Sequence, residues 1–69
     1  MSENVYAITE LVGSSSKSVE DAIQNAVSTA SKTLHHLEWF EVVSTRGHIA
    51  EGKVGHFQVT LKIGFRYQK

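Results

Sequence analysis

The chain contains no cysteine and no proline, and its charges cancel, seven Lys and Arg against seven Asp and Glu over 69 residues. Without cysteine, neither disulfides nor thiolate-held zinc or iron–sulfur centres can staple the fold. Balanced charge argues against nucleic acid or an anionic membrane as the main partner. No apolar run approaches the roughly 20 residues of a membrane span. The opening residues, Met1 to Val5, lack the basic and apolar regions of a signal peptide, so a cytoplasmic location is expected. Missing proline agrees with a compact fold of regular elements. Residues 1–69 are read as a single domain. A chain this short buries only about 60% of its unfolded surface. With disulfides excluded, oligomerisation is the common remedy left.

What is present reads in order as strand, helix, strand, strand. Val5 to Val12 is rich in β-branched and aromatic residues and is closed by Gly13, with residues 13–17 forming a small polar loop. That loop has glycine and serine before a helix but lacks the fuller phosphate-loop pattern, so a plain connector is expected. Ser18 followed by Glu20 and Asp21 is an acidic variant of the helix-start signature. Val19, Ala22, Ile23, Ala26, Val27, Ala30 and Leu34 then fall at helical spacing as one apolar stripe. Lys32, His35 and His36 are placed in the last helical turn, where positive charge suits the helix dipole. Adjacent histidines point about 100° apart on a helix and do not converge on a metal, so no metal site is expected.

Trp39 to His48 reads as the second strand, Ile49 to Lys53 as a reversal, and Val54 to Tyr67 as the third strand. From His56 onward the third strand alternates without a break. Phe57, Val59, Leu61, Ile63, Phe65 and Tyr67 share one face; His56, Gln58, Thr60, Lys62, Gly64 and Arg66 share the other. The expected fold class is α+β: a β-α-β-β protomer whose antiparallel sheet, in the order 1-3-2, packs one face on one helix.

Strand parity then bears on Trp39, the only tryptophan. A lone tryptophan is commonly a core anchor. If Phe40 and Val42 lie under the helix with Phe57 and Leu61, however, Trp39, Glu41, Val43 and Thr45 take the opposite face, with Gln58 and Lys62. A tryptophan there meets solvent, another subunit or a ligand. Its ring is a natural platform for a flat aromatic molecule, and the Gln58 amide offers donors and acceptors to a heterocycle edge. One β-bulge would reverse the assignment. Arg46 falls by simple alternation on the face of Phe40, opposite Trp39, unless the strand bulges or twists before Gly47.

Residues 33–47, Thr-Leu-His-His-Leu-Glu-Trp-Phe-Glu-Val-Val-Ser-Thr-Arg-Gly, strongly resemble the dodecins. So do residues 52–66, Gly-Lys-Val-Gly-His-Phe-Gln-Val-Thr-Leu-Lys-Ile-Gly-Phe-Arg. The opening Val-Tyr-Ala-Ile-Thr-Glu-Leu-Val-Gly-Ser-Ser and the helix start Ser-Val-Glu-Asp-Ala-Ile fit the same family. The resemblance implies a hollow homododecamer that binds pairs of flavins between subunits. It implies that Trp39 stacks on the isoalloxazine ring and that Gln58 hydrogen-bonds its polar edge. Arg46 resembles the bacterial FMN-binding branch more than the riboflavin-binding one, with FAD a further flavin of the same class. Bacterial members often carry an arginine where this chain has Thr29, so that phosphate contact is not carried over. Coenzyme A, bound by some members, has no anchor among these residues.

The implied role is storage and quenching rather than catalysis. A flavin held between indole faces would lose its excitation by electron transfer from Trp39 instead of generating reactive oxygen. No catalytic set accompanies Trp39; Glu41 is the one carboxylate beside it and reads as a surface or interface charge. The competing readings are a cofactor-free assembly module with Trp39 as an interface hot spot, a small tautomerase-like enzyme, and a sheet that binds single-stranded RNA. The enzyme reading requires an N-terminal proline, which is missing; the RNA reading suits neither the charge nor the single outward aromatic.

Overall fold

The computed structural model describes residues 3–67. Its elements are β1 (Tyr6–Ser15), α1 (Val19–Ala30), β2 (Leu37–Ala50) and β3 (Lys53–Arg66). The three strands form one antiparallel sheet in the order β1-β3-β2, with α1 against one face. This is the expected β-α-β-β architecture.

The helix lies close to the sheet because its buried face is alanine. Ala22, Ala26 and Ala30 pack on Val59, Leu61 and Ile63, the six forming the buried core. Leu11, Val19, Ile23, Val27, Leu34 and Leu37 surround them. Gly13 does not close β1, as the sequence suggested; the strand continues through it to Ser15. Glycine is required there by contact rather than by a turn. A Cβ at Gly13 would collide with the Ala22 carbonyl oxygen and lie 2.9 Å from the Ala26 Cβ.

Ser15 is buried and ties the short connection together. Its hydroxyl donates to Asp21 Oδ2 at 2.7 Å and accepts from the Lys17 backbone N–H at 2.9 Å. Ser18 is the helix N-cap, its side chain accepting from the Asp21 N–H at 3.0 Å. Asp21 thus serves Ser15 rather than completing a reciprocal capping box. The helix stops at Ala30, earlier than expected, so Lys32, His35 and His36 lie beyond its last turn. His36 adopts a left-handed backbone, φ 63°, as the chain swings into β2. Leu34 still reaches the core from this connection.

β2 and β3 form a long hairpin closed at Glu51 and Gly52, whose φ values of 53° and 75° suit the tight turns that match strand twist. The helix covers β1 and β3 but leaves β2 bare, and beyond the half-buried Leu37 every β2 residue is exposed. Phe40 and Val42 therefore face the helix side as expected, yet remain open, being exposed to 50% and 42%. Further out on the hairpin Ile49 and Val54 are opposite each other and exposed to 73% and 59%. The sheet outgrows its helix, and the molecule extends 56 Å in its longest dimension.

Candidate functional site

The outer sheet face, turned away from the helix, presents a ladder of β2–β3 pairs. Trp39 lies opposite Gly64, Glu41 opposite Lys62, Ser44 opposite Thr60, Arg46 opposite Gln58 and His48 opposite His56. Directly opposed residues of an antiparallel pair share a face. Trp39 is thus on the outer side, as parity requires.

Arg46 is on that side too, contrary to simple alternation. The register shifts between Val42 and Ser44, leaving Val43 without a β3 partner. One extra residue offsets the odd spacing between positions 39 and 46 and turns Arg46 outward. The same shift moves Thr45 opposite Val59, to the helix side, and removes it from the set expected to accompany Trp39. Further shifts occur between Leu37 and Trp39 and between His48 and Ile49.

Trp39 sits across β3 on Gly64. A Cβ at position 64 would collide with the six-membered ring of the indole, so glycine there creates its seat. The Tyr6 ring meets the indole edge-on, centroids 5.1 Å apart and planes at 67°. Such pairs favour T-shaped geometry and hold the ring in place. Trp39 nevertheless remains 40% exposed. Nearby, Arg66 is tethered by a 3.9 Å ion pair to Glu38 and a 3.2 Å contact with His36 Nδ1.

Arg46 and Gln58 make a second, separate feature. Arg46 Nε donates to Gln58 Oε1 at 3.1 Å, and its Nη1 donates to Thr60 Oγ1 at 3.1 Å and Ser44 Oγ at 3.4 Å. A guanidinium has no acceptor, so the Gln58 carbonyl must face it, leaving the amide N–H groups as the end directed away. All three acceptors are neutral, so among the described residues no carboxylate offsets the guanidinium charge, which is left for an anionic group. Neighbouring hydroxyls and this amide donor make the patch suited to phosphate and carbonyl oxygens.

The two features are far apart within one chain. Gly64, under Trp39, and Gln58 are six positions apart on β3, about 20 Å at the usual strand rise. That exceeds the length of three fused six-membered rings. One flat molecule cannot rest on Trp39 and reach Gln58 of the same protomer. Gly64 and Tyr6 went unrecognised in the sequence as parts of the Trp39 seat; glycine opposite tryptophan becomes a signal only once the register is known.

Fold and surface together define a small α+β protein with an open, polar and aromatic sheet face. A family profile described as dodecin matches residues 5–68. A dodecin of Thermus thermophilus is 51% identical over 65 residues, covering 94% of each chain. The dodecin structure from Streptomyces coelicolor superposes with a TM-score of 0.95 at 51% identity, covering 100% of this chain and 99% of that one. The dodecin from Streptomyces davaonensis gives a TM-score of 0.94 at 47% identity, with 99% and 100% coverage. The chain belongs to the dodecin family.

Proposed function

We propose that this chain is a single-domain, cytoplasmic flavin-binding protein that assembles as a hollow homododecamer and holds FMN or a related flavin between subunits. The observation that carries the reading is the separation of Trp39 from the Arg46–Gln58 pair on one outer face. Each protomer offers an aromatic seat and a polar grip that one isoalloxazine ring does not span alone. Two copies bring the seat of one to the grip of the other, so the site is composite.

The surface supports assembly independently. Phe40, Val42, Ile49 and Val54 leave an apolar stripe on the helix side of the hairpin, beyond the reach of the chain's own helix. A groove of about 280 Å³ runs between β1 and the helix, lined by Leu11, Val12, Gly13, Asn25, Ala26 and Thr29 among others. Two different unmatched surfaces on one chain favour head-to-tail contacts, which close into symmetric shells.

The residues fit a flavin. The half-exposed indole offers a broad face for offset stacking. The Gln58 amide directs N–H donors at carbonyl oxygens of a ring edge, and Arg46 supplies charge for a phosphate, favouring FMN over riboflavin. The flavin, when bound, supplies a photoreactive, redox-active ring. Trp39 would stack on that ring as an electron-rich quencher, and the surrounding subunits would exclude water. Glu41, on the same face as Trp39, lies opposite Lys62. Coenzyme A is admitted as a second ligand by the family resemblance alone.

The test is FMN titration of the purified protein with its native mass. Quenched flavin fluorescence on a particle of dodecamer mass is expected. Trp39→Ala is expected to weaken binding by about 1–3 kcal/mol on the scale of aromatic stacking on a base. A colourless assembly that leaves FMN fluorescence untouched would reduce Trp39 to an interface anchor and refute the reading.

A further inference from the structure

Past Arg46 the outer ladder carries a histidine pair that the flavin reading does not use. His48 on β2 and His56 on β3 are directly opposed. Their rings stack 5.1 Å apart, centroid to centroid, with planes 15° from parallel. His48 is exposed and His56 half-buried. Among the described residues no group of three or more His, Cys, Asp or Glu is placed to hold a metal ion; this pair offers two ligands.

We propose that His48 and His56 form a two-point clamp for a zinc- or copper-class divalent cation, closing the outer half of the β2–β3 hairpin. Directly opposed strand residues hold their Cβ atoms about 4.5–5.5 Å apart. Imidazole nitrogens bind zinc at about 2.0–2.1 Å, so two of them converge on one ion by side-chain rotation alone. The ladder already fixes the backbone, and little further ordering is required. The donor set selects the ion. On the outer face the flanking pairs are Arg46 and Gln58 on one side and Ala50 and Lys53 on the other, with no carboxylate in either pair. Two neutral imidazoles suit zinc, copper or nickel rather than calcium or magnesium. Of the two flanking cations, Lys53 lies across from Ala50 at the turn end, and Arg46 reaches back along the ladder to Ser44 and Thr60. Water, or the same pair on another copy, completes the coordination.

The experiment uses the full chain in its native assembly, freed of metal by a chelator. Copper is followed by electron paramagnetic resonance and zinc by calorimetry. The wild type is compared with His48→Asn, His56→Asn and the control His35→Asn/His36→Asn. Expected are saturable binding, nitrogen hyperfine structure from two imidazoles that persists in the control, and a loss of about a hundredfold in either single clamp variant. That loss is the effective-concentration advantage of two joined ligands over one. No saturable binding, or binding equal to wild type in His48→Asn and His56→Asn, overturns the clamp. Should a clamp variant fail to fold, the copper spectrum of the His35→Asn/His36→Asn protein decides alone: two-imidazole hyperfine supports the clamp, and its absence overturns it. The proposal does not depend on flavin, whose titration is a separate readout.

Discussion

Replacing Gly64 by alanine tests whether the Trp39 seat is what binds the ligand. The substitution adds one methyl group at a position where the nearest atoms are those of the Trp39 six-membered ring. The obstruction is a half-exposed side chain, not backbone, so the indole swings aside while the sheet holds. Two effects on stability oppose one another. Alanine in a strand is favoured over glycine by about 0.5–1 kcal/mol, whereas losing the edge-on contact with Tyr6 costs about 0.5–1.5 kcal/mol. Net stability should therefore stay within about 1 kcal/mol of wild type. Affinity behaves differently, because a displaced indole no longer presents its face. On the proposed flavin reading the loss is about 1–2 kcal/mol, a fraction of the stacking scale, or roughly 5- to 30-fold in Kd. Denaturant unfolding and FMN fluorescence titration measure the two quantities separately. A double-mutant cycle sharpens the test: in a Trp39→Ala background, Gly64→Ala should have no further effect on affinity. Wild-type affinity in Gly64→Ala, or an equal loss in both backgrounds, would refute the argument that glycine acts by seating the indole.

Arg46→Ala is expected to weaken FMN by about 1.5–3 kcal/mol, the scale of a hydrogen bond to a charged group. Riboflavin, lacking the phosphate, should lose far less, and parallel titrations check the difference. Gly13→Ala is expected to destabilise the fold by about 1–3 kcal/mol, because the new methyl meets helix backbone that cannot rotate away; urea denaturation reads this directly. Glu51→Asn should raise the unfolding midpoint, stabilising by a few tenths to about 1 kcal/mol. Position 51 has φ 53°, which asparagine tolerates better than glutamate.

Much of the architecture was legible in the chain because periodicity reports burial directly. The alternation from His56 to Tyr67 marked β3 and its core face, and Val59, Leu61 and Ile63 are indeed its buried residues. The alanine-rich stripe placed the helix, and Ser18 capped it as its side-chain chemistry favours. Parity also turned Trp39 outward. What remained hidden depends on register and on distance between elements. A bulge has no composition of its own, so only the pairing of β2 with β3 shows that Val43 is extra and that Arg46 joins Gln58. Gly13 and Gly64 look like ordinary breakers in sequence; their meaning lies in what approaches them, a helix backbone and an indole. Local pattern thus determined which residues face the core. The tertiary structure alone decided that Trp39 and Gln58 stand about 20 Å apart along the sheet, because that separation is set by how the strands pair.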